Sequence, residues 1–362
     1  MKLRKLAAAS LAAGIAFAAE TIPASNQLVA HEWGTFTSVA DLEGNPVPWL
    51  ALGGPSVLPC FVHGRQQEAQ LKFITYATVR METPVIYFYT PRRTSISVGV
   101  TFQNGLITEW YPQAVHVAGG RIEWNVNATP GEPEEFPKGT QPNEYYEARA
   151  TESVPLQAGT EREKLIFYRG VGDFSIPVRP RYTGEGRIRI SSAGKWTVPA
   201  AFVFENRGGR TGFRALGALE GTVEVDPPEL TGDASGVRQQ LEQALAASGL
   251  YAKEAAAMLA TWRESWFEEG ARVFYVTPRE LADAALPIAI EPAPTAIERV
   301  FVGRVELLAP ATQAEIAAGD PRALARYGRF LPVFWEEMQR KGIVAKSAAL
   351  PLAVSGSRPC AK

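Results

Sequence analysis

Three histidines, His31, His63 and His116, and three glutamates, Glu32, Glu82 and Glu109, are the residues of this chain best suited to proton transfer or metal ligation. A catalytic metal site built on three imidazoles would need every histidine present, with a glutamate as base or fourth ligand. The nearest approach to a ligand pair is Cys60-Phe61-Val62-His63, where a turn can aim sulfur and imidazole at one ion. On an extended strand, by contrast, His31 and Glu32 point to opposite sides, so they do not converge unaided. Glu32 and Glu82 are nominees for two-carboxylate glycoside chemistry, for which their separation is the criterion. Ser192-Ala193-Gly194-Lys195 matches Ser-x-x-Lys but reads as a turn leading into a strand, without the helix that chemistry requires. No Gly-x-Ser-x-Gly elbow and no phosphate-cradling glycine loop occurs.

Aromatic residues suggest another class of function. Of eight tryptophans, Trp33, Trp110 and Trp124 are nominees for stacking on a sugar or peptide, since indole offers area and one donor. Core packing accounts for most of the eight, with one or two expected to be partly exposed.

The elements that must position these residues fall into two groups. From residue 28 to 226 the chain reads as many short strands: residues 94–102 place Ile96, Val98, Val100 and Phe102 on one face, and Asn104-Gly105 marks a hairpin. This spacing predicts a mainly antiparallel, β-sandwich-like region. Residues 127–144, with four prolines, read as loop. After Pro227-Pro228 the periodicity becomes helical. A helix from Asp233 or Ser235 to Gly249 is expected, then one over 252–268 carrying Met258, Leu259, Trp262 and Trp266, with two extended segments and closing helices behind Asp320-Pro321. The expected fold is therefore α+β, with an α+β region over 233–342 packed on the β-rich region and a tail over 343–362.

Residues 1–18 carry a positive start, an apolar run and Ala16-Phe17-Ala18, the pattern of a cleaved export signal. The mature chain is expected to start at Ala19, to be periplasmic or secreted, and to insert no stable segment in a membrane. Export permits Cys60 and Cys360 to pair, a bond whose geometry sequence leaves open. With 37 basic and 38 acidic residues, the near-neutral charge provides no broad field for nucleic acid or anionic lipid.

Three stretches carry a resemblance: His31-Glu32-Trp33-Gly34-Thr35-Phe36-Thr37-Ser38, Met81-Glu82-Thr83-Pro84-Val85-Ile86-Tyr87-Phe88-Tyr89, and Thr261-Trp262-Arg263-Glu264-Ser265-Trp266-Phe267. Together they resemble a family of secreted bacterial proteins that are themselves uncharacterised, over residues 28–308. The resemblance implies a shared architecture outside the cytoplasm and brings no activity, cofactor or catalytic residue. The preferred reading is an exported binding or surface-interaction protein for an extracytoplasmic ligand such as a glycan or peptide. The alternative is a hydrolase in which His31, His63 and His116 hold a divalent metal such as zinc beside Glu32 and Glu82.

Overall fold

In the computed structural model, residues 27–53, 58–65, 75–139, 142–194, 196–347 and 350 are described. The fold is α+β and sandwich-like, built on one nine-stranded sheet. From edge to edge its strands are Arg210–Leu219, Val198–Arg207, Gly270–Val276, Ala296–Leu307, Val29–Val39, Val79–Tyr89, Ile166–Gly172, Gly105–Tyr111 and His63–Gly64. The Val29–Val39 strand lies fully buried at the centre. It runs parallel to Ala296–Leu307 and antiparallel to Val79–Tyr89, so the sheet draws strands from both of the regions distinguished in the sequence.

Each face of this sheet is covered, which explains why its central strands are apolar on both sides. One face meets a six-stranded sheet and a three-stranded sheet. The 94–101 strand belongs to the former, and Ile96, Val98, Val100 and Phe102 are buried there as the alternation requires. The other face, through Trp33, Val85, Tyr87 and Phe204, meets the helices Ser235–Ala247 and Ala252–Thr261. A third cluster joins Trp49 to the closing helices, where Asp320 caps Pro321–Ala325 by accepting a 3.0 Å hydrogen bond from the Arg322 amide.

The expected 252–268 helix stops early. It ends at Thr261, and a single turn, Arg263–Trp266, follows. Beyond that turn the ladder ends on buried arginines. Arg272 donates from Nη1 to the carbonyls of Trp266 and Glu268, both at 2.7 Å, and Arg304 donates to the carbonyl of Ser265 at 2.7 Å. Those carbonyls satisfy buried guanidiniums instead of continuing a helical ladder.

The first two motif segments meet at an irregularity. Trp33 pairs with Val85 and Thr35 with Glu82, so Gly34 alone opposes Thr83 and Pro84. This two-against-one bulge places Pro84 where no ladder donor is needed and Thr83 at φ +45°, a costly conformation for a β-branched residue. A Cβ at Gly34 would stand 2.8 Å from the Phe301 ring and 3.0 Å from Pro84 Cα. We therefore expect Gly34→Ala to lose about 1–3 kcal/mol in urea denaturation; an unchanged midpoint would contradict this packing.

Candidate functional site

The bulge opens onto a cavity of about 620 Å³ between the sheet and the short helical turns Glu144–Arg149 and Arg263–Trp266. Two motif segments contribute to its wall, through Glu82 and Thr83 from one and residues 261–265 from the other. Strand alternation fixes the floor. Arg80 and Glu82 are two apart and share the face turned towards the helices, while Met81 between them enters the opposite core. Arg169 reaches the floor from the 166–172 strand and Arg329 from the Gly328–Phe330 turn.

Three guanidiniums thus surround one lining carboxylate. Glu82 is ion-paired with Arg329 Nη1 at 2.7 Å and with Arg80 Nε at 3.6 Å. Arg169 donates to Thr83 Oγ1 from Nε at 3.3 Å and Nη2 at 3.2 Å, so the strained residue helps hold the cluster. Burial alone would push the Glu82 carboxyl up, but Arg329, Arg80, Arg304 and Arg169 together bring it down to about 2. For Arg80, burial and the neighbouring Arg329 and Arg169 charges outweigh Glu82 and Glu109, lowering the guanidinium to about 10. Behind the floor, Arg272 and Arg304 share Glu306, and Arg304 also binds Glu268 at 2.6 Å. Together, five guanidiniums face four carboxylates, Glu82, Glu109, Glu268 and Glu306. Among the described residues, Arg80 Nε, Arg329 Nη2 and Trp262 Nε1 are buried donors, and Glu82 Oε1 and Glu144 Oε1 buried acceptors, without an aligned partner, and all five residues line this cavity. Buried donors of this kind cost free energy unless something accepts from them.

The mouth has the opposite sign. Glu144 is half-buried, and Glu147, Arg263 and Glu264 are exposed. Burial, followed by the neighbouring Glu264 carboxylate, raises the Glu144 carboxyl to about 7, with Arg263 opposing the shift and Glu147 adding to it.

The sequence nominees are dispersed. His31 is buried, its Nδ1 2.7 Å from Glu254 Oε2 and its ring against Tyr251 at 4.4 Å, beside a separate hollow of about 480 Å³. Glu32 points to the other face, as alternation predicts, accepting from Tyr168 and, at 2.6 Å, from Arg299 Nε. His63 lies on the far edge strand and is held by Glu161 Oε1 at 2.8 Å. Four interstrand spacings, about 19 Å at the usual sheet repeat, separate the strands of His31 and His63. His116 is exposed in the six-stranded sheet, whose short 116–118 strand pairs with 121–128. The three-imidazole metal site is therefore corrected: no group of three His, Cys, Asp or Glu suited to a metal forms among the described residues.

The Glu32 and Glu82 acid pair is corrected as well, because the carboxylates occupy opposite faces, Glu32 with Tyr168 and Glu82 with the cavity arginines. Trp33 and Trp124 are fully buried, and Trp124 Nε1 donates to the Pro112 carbonyl at 3.0 Å, so neither serves as a stacking platform. Trp110 is half-buried against His63, 6.3 Å between ring centres. Cys60 is disulfide-bonded, and Cys360 lies outside the described residues, as do residues 1–18. Sequence reasoning missed Arg80, Arg169, Arg329 and Glu144. The signal available was Arg80-x-Glu82, two charges on one face of a strand otherwise rich in buried apolar residues.

No family model matches the chain, and no curated protein matches it. Among solved structures it is similar to the yeast delta-COP-I mu-homology domain, with 8% identity, a TM-score of 0.32, and coverage of 79% of this chain and 100% of that one. The same domain complexed with the Dsl1 WxWxV peptide gives 9% identity and a TM-score of 0.30 at the same coverages. Similarity at this level assigns no ligand.

Proposed function

We propose that this chain is an exported binding protein that receives its ligand in the 620 Å³ cavity and holds it through an anionic group. One observation carries the reading: Arg80, Arg169 and Arg329 converge on a buried floor, with Glu82 paired to Arg329 and Arg80 and Glu268 paired to Arg304. Guanidiniums at low local dielectric recognise carboxylate or phosphate strongly. A cavity of this size falls within the range of small-molecule sites. A binding role requires no further group, whereas the hydrolase alternative depended on a histidine set that is spread over two sheets. Export rests on the residue 1–18 pattern.

The test is calorimetric titration of protein recovered from the periplasm with succinate, inorganic phosphate and N-acetyl-trialanine. At least one should bind, and Arg329→Gln should weaken it at least about tenfold. Binding by none of the three, or equal binding by the variant, would overturn the site. N-terminal sequencing of the same material should begin at Ala19, and recovery of Met1 would overturn export.

A further inference from the structure

The cavity is polar from end to end: a guanidinium floor on the sheet faces an acidic mouth on the two helical turns. The charges acting most strongly on Arg80 are Glu82, Arg329, Arg169 and Glu109, and those acting on Glu144 are Glu264, Arg263 and Glu147. A ligand carrying only negative charge would satisfy the floor and be repelled at the mouth.

We propose, resting on the binding reading above, that the ligand is a zwitterion of the short-peptide class, with its carboxylate on Arg80 and Arg329 and its ammonium against Glu144 and Glu264. At the floor, a carboxylate pairs with the guanidiniums of Arg80 and Arg329 and offsets the surplus positive charge. Trp262 lines the wall beside them. Among the described residues, Arg263 is the one cation of the mouth beside Glu144, Glu147 and Glu264, so an ammonium adds the opposite charge that favours an ionised Glu144. A volume of about 620 Å³ exceeds what one amino acid fills and suits a few residues.

Among the described residues, the charged groups that line the cavity with Glu144 are Glu264 and Arg263 on the opposite turn, Glu268 just beyond it, Glu147 on its own turn, and Arg80, Arg169, Arg329 and Glu82 across the cavity. Its ionisation near pH 7 sets the acid limb of binding, and loss of the peptide's own amino proton near pH 8 sets the alkaline limb.

Titration with free trialanine, N-acetyl-trialanine and trialanine amide tests this without relying on any variant. The free peptide should bind at least about tenfold more tightly than either blocked form, with greatest affinity between about pH 7 and 8. Glu264→Gln, at an exposed position, should bring the free and acetylated peptides close to equal affinity. Equal affinity for free and acetylated peptide in the wild type would overturn the zwitterion assignment. If succinate or the acetylated peptide binds through Arg329 and the free peptide is no tighter, the anion reading stands and the assignment falls. If nothing binds, both fall.

Discussion

Arg304→Met should lower the stability of the protein by about 3–5 kcal/mol, the cost of breaking a buried ion network from one side. Arg304 is fully buried, shares Glu306 with Arg272, binds Glu268 Oε1 at 2.6 Å, and donates to the Ser265 carbonyl at 2.7 Å and its hydroxyl at 3.1 Å. Methionine fills similar volume but removes this donor from Glu268 and Ser265 and leaves Glu306 with Arg272 alone. Because Ser265 and Glu268 line the cavity, the substitution should also loosen the turn that forms its wall. Arg326, which is 41% exposed and paired with Glu315 at 2.9 Å, is the internal control: Arg326→Met should cost at most about 1 kcal/mol. Urea denaturation of the two variants distinguishes a structural network from a surface one, and equal midpoints would contradict the account.

Glu82→Gln should cost about 3 kcal/mol at neutral pH and should change how stability depends on acid. Its carboxyl is held near 2 in the folded state against an ordinary value of 4.5. A folded value below the unfolded one means that the stabilisation is fully present above about pH 4.5 and disappears as pH falls towards 2. The stability gap between wild type and Glu82→Gln should therefore be widest at neutral pH and shrink across that window. Urea unfolding of both proteins through the acid range measures it. A gap that does not change with pH would mean that Glu82 is not the counter-charge of the arginine floor.

The sandwich-like strands were legible because their pattern is local. Alternation at Ile96, Val98, Val100 and Phe102 and the turn at Asn104-Gly105, where Asn104 takes φ +55°, are properties of neighbouring residues. The opposite orientation of His31 and Glu32 followed from the same period of two. What escaped was long-range. Parallel pairing of Val29–Val39 with Ala296–Leu307 brings together residues more than 260 apart in sequence, and nothing in either segment announces the other. The end of the helical run after Trp266, short of Glu268, involves Arg272 and Arg304, which arrive from strands that follow it.

For the site, Glu82 was singled out but assigned the wrong neighbours. A carboxylate on a strand shows its type and face, whereas its partners, Arg329 above all, come from a turn some 250 residues later. Glu264 and Arg263 were visible within the third motif segment, yet their helix offered no reason to separate them from solvated surface. Histidine attracted attention because it suits catalysis. Here each buried or half-buried histidine has a carboxylate partner of its own, Glu254 for His31 and Glu161 for His63, and they lie on strands too far apart to cooperate. The arginines, individually unremarkable in a sequence of balanced charge, are what the fold gathers.

The most direct measurement is a crystal structure of the protein grown with free trialanine. The account predicts electron density for the peptide in the 620 Å³ cavity, its carboxylate within hydrogen-bonding distance of Arg80 and Arg329 and its amino end beside Glu144 and Glu264. Peptide density at another surface, or the reverse orientation in this cavity, would contradict it.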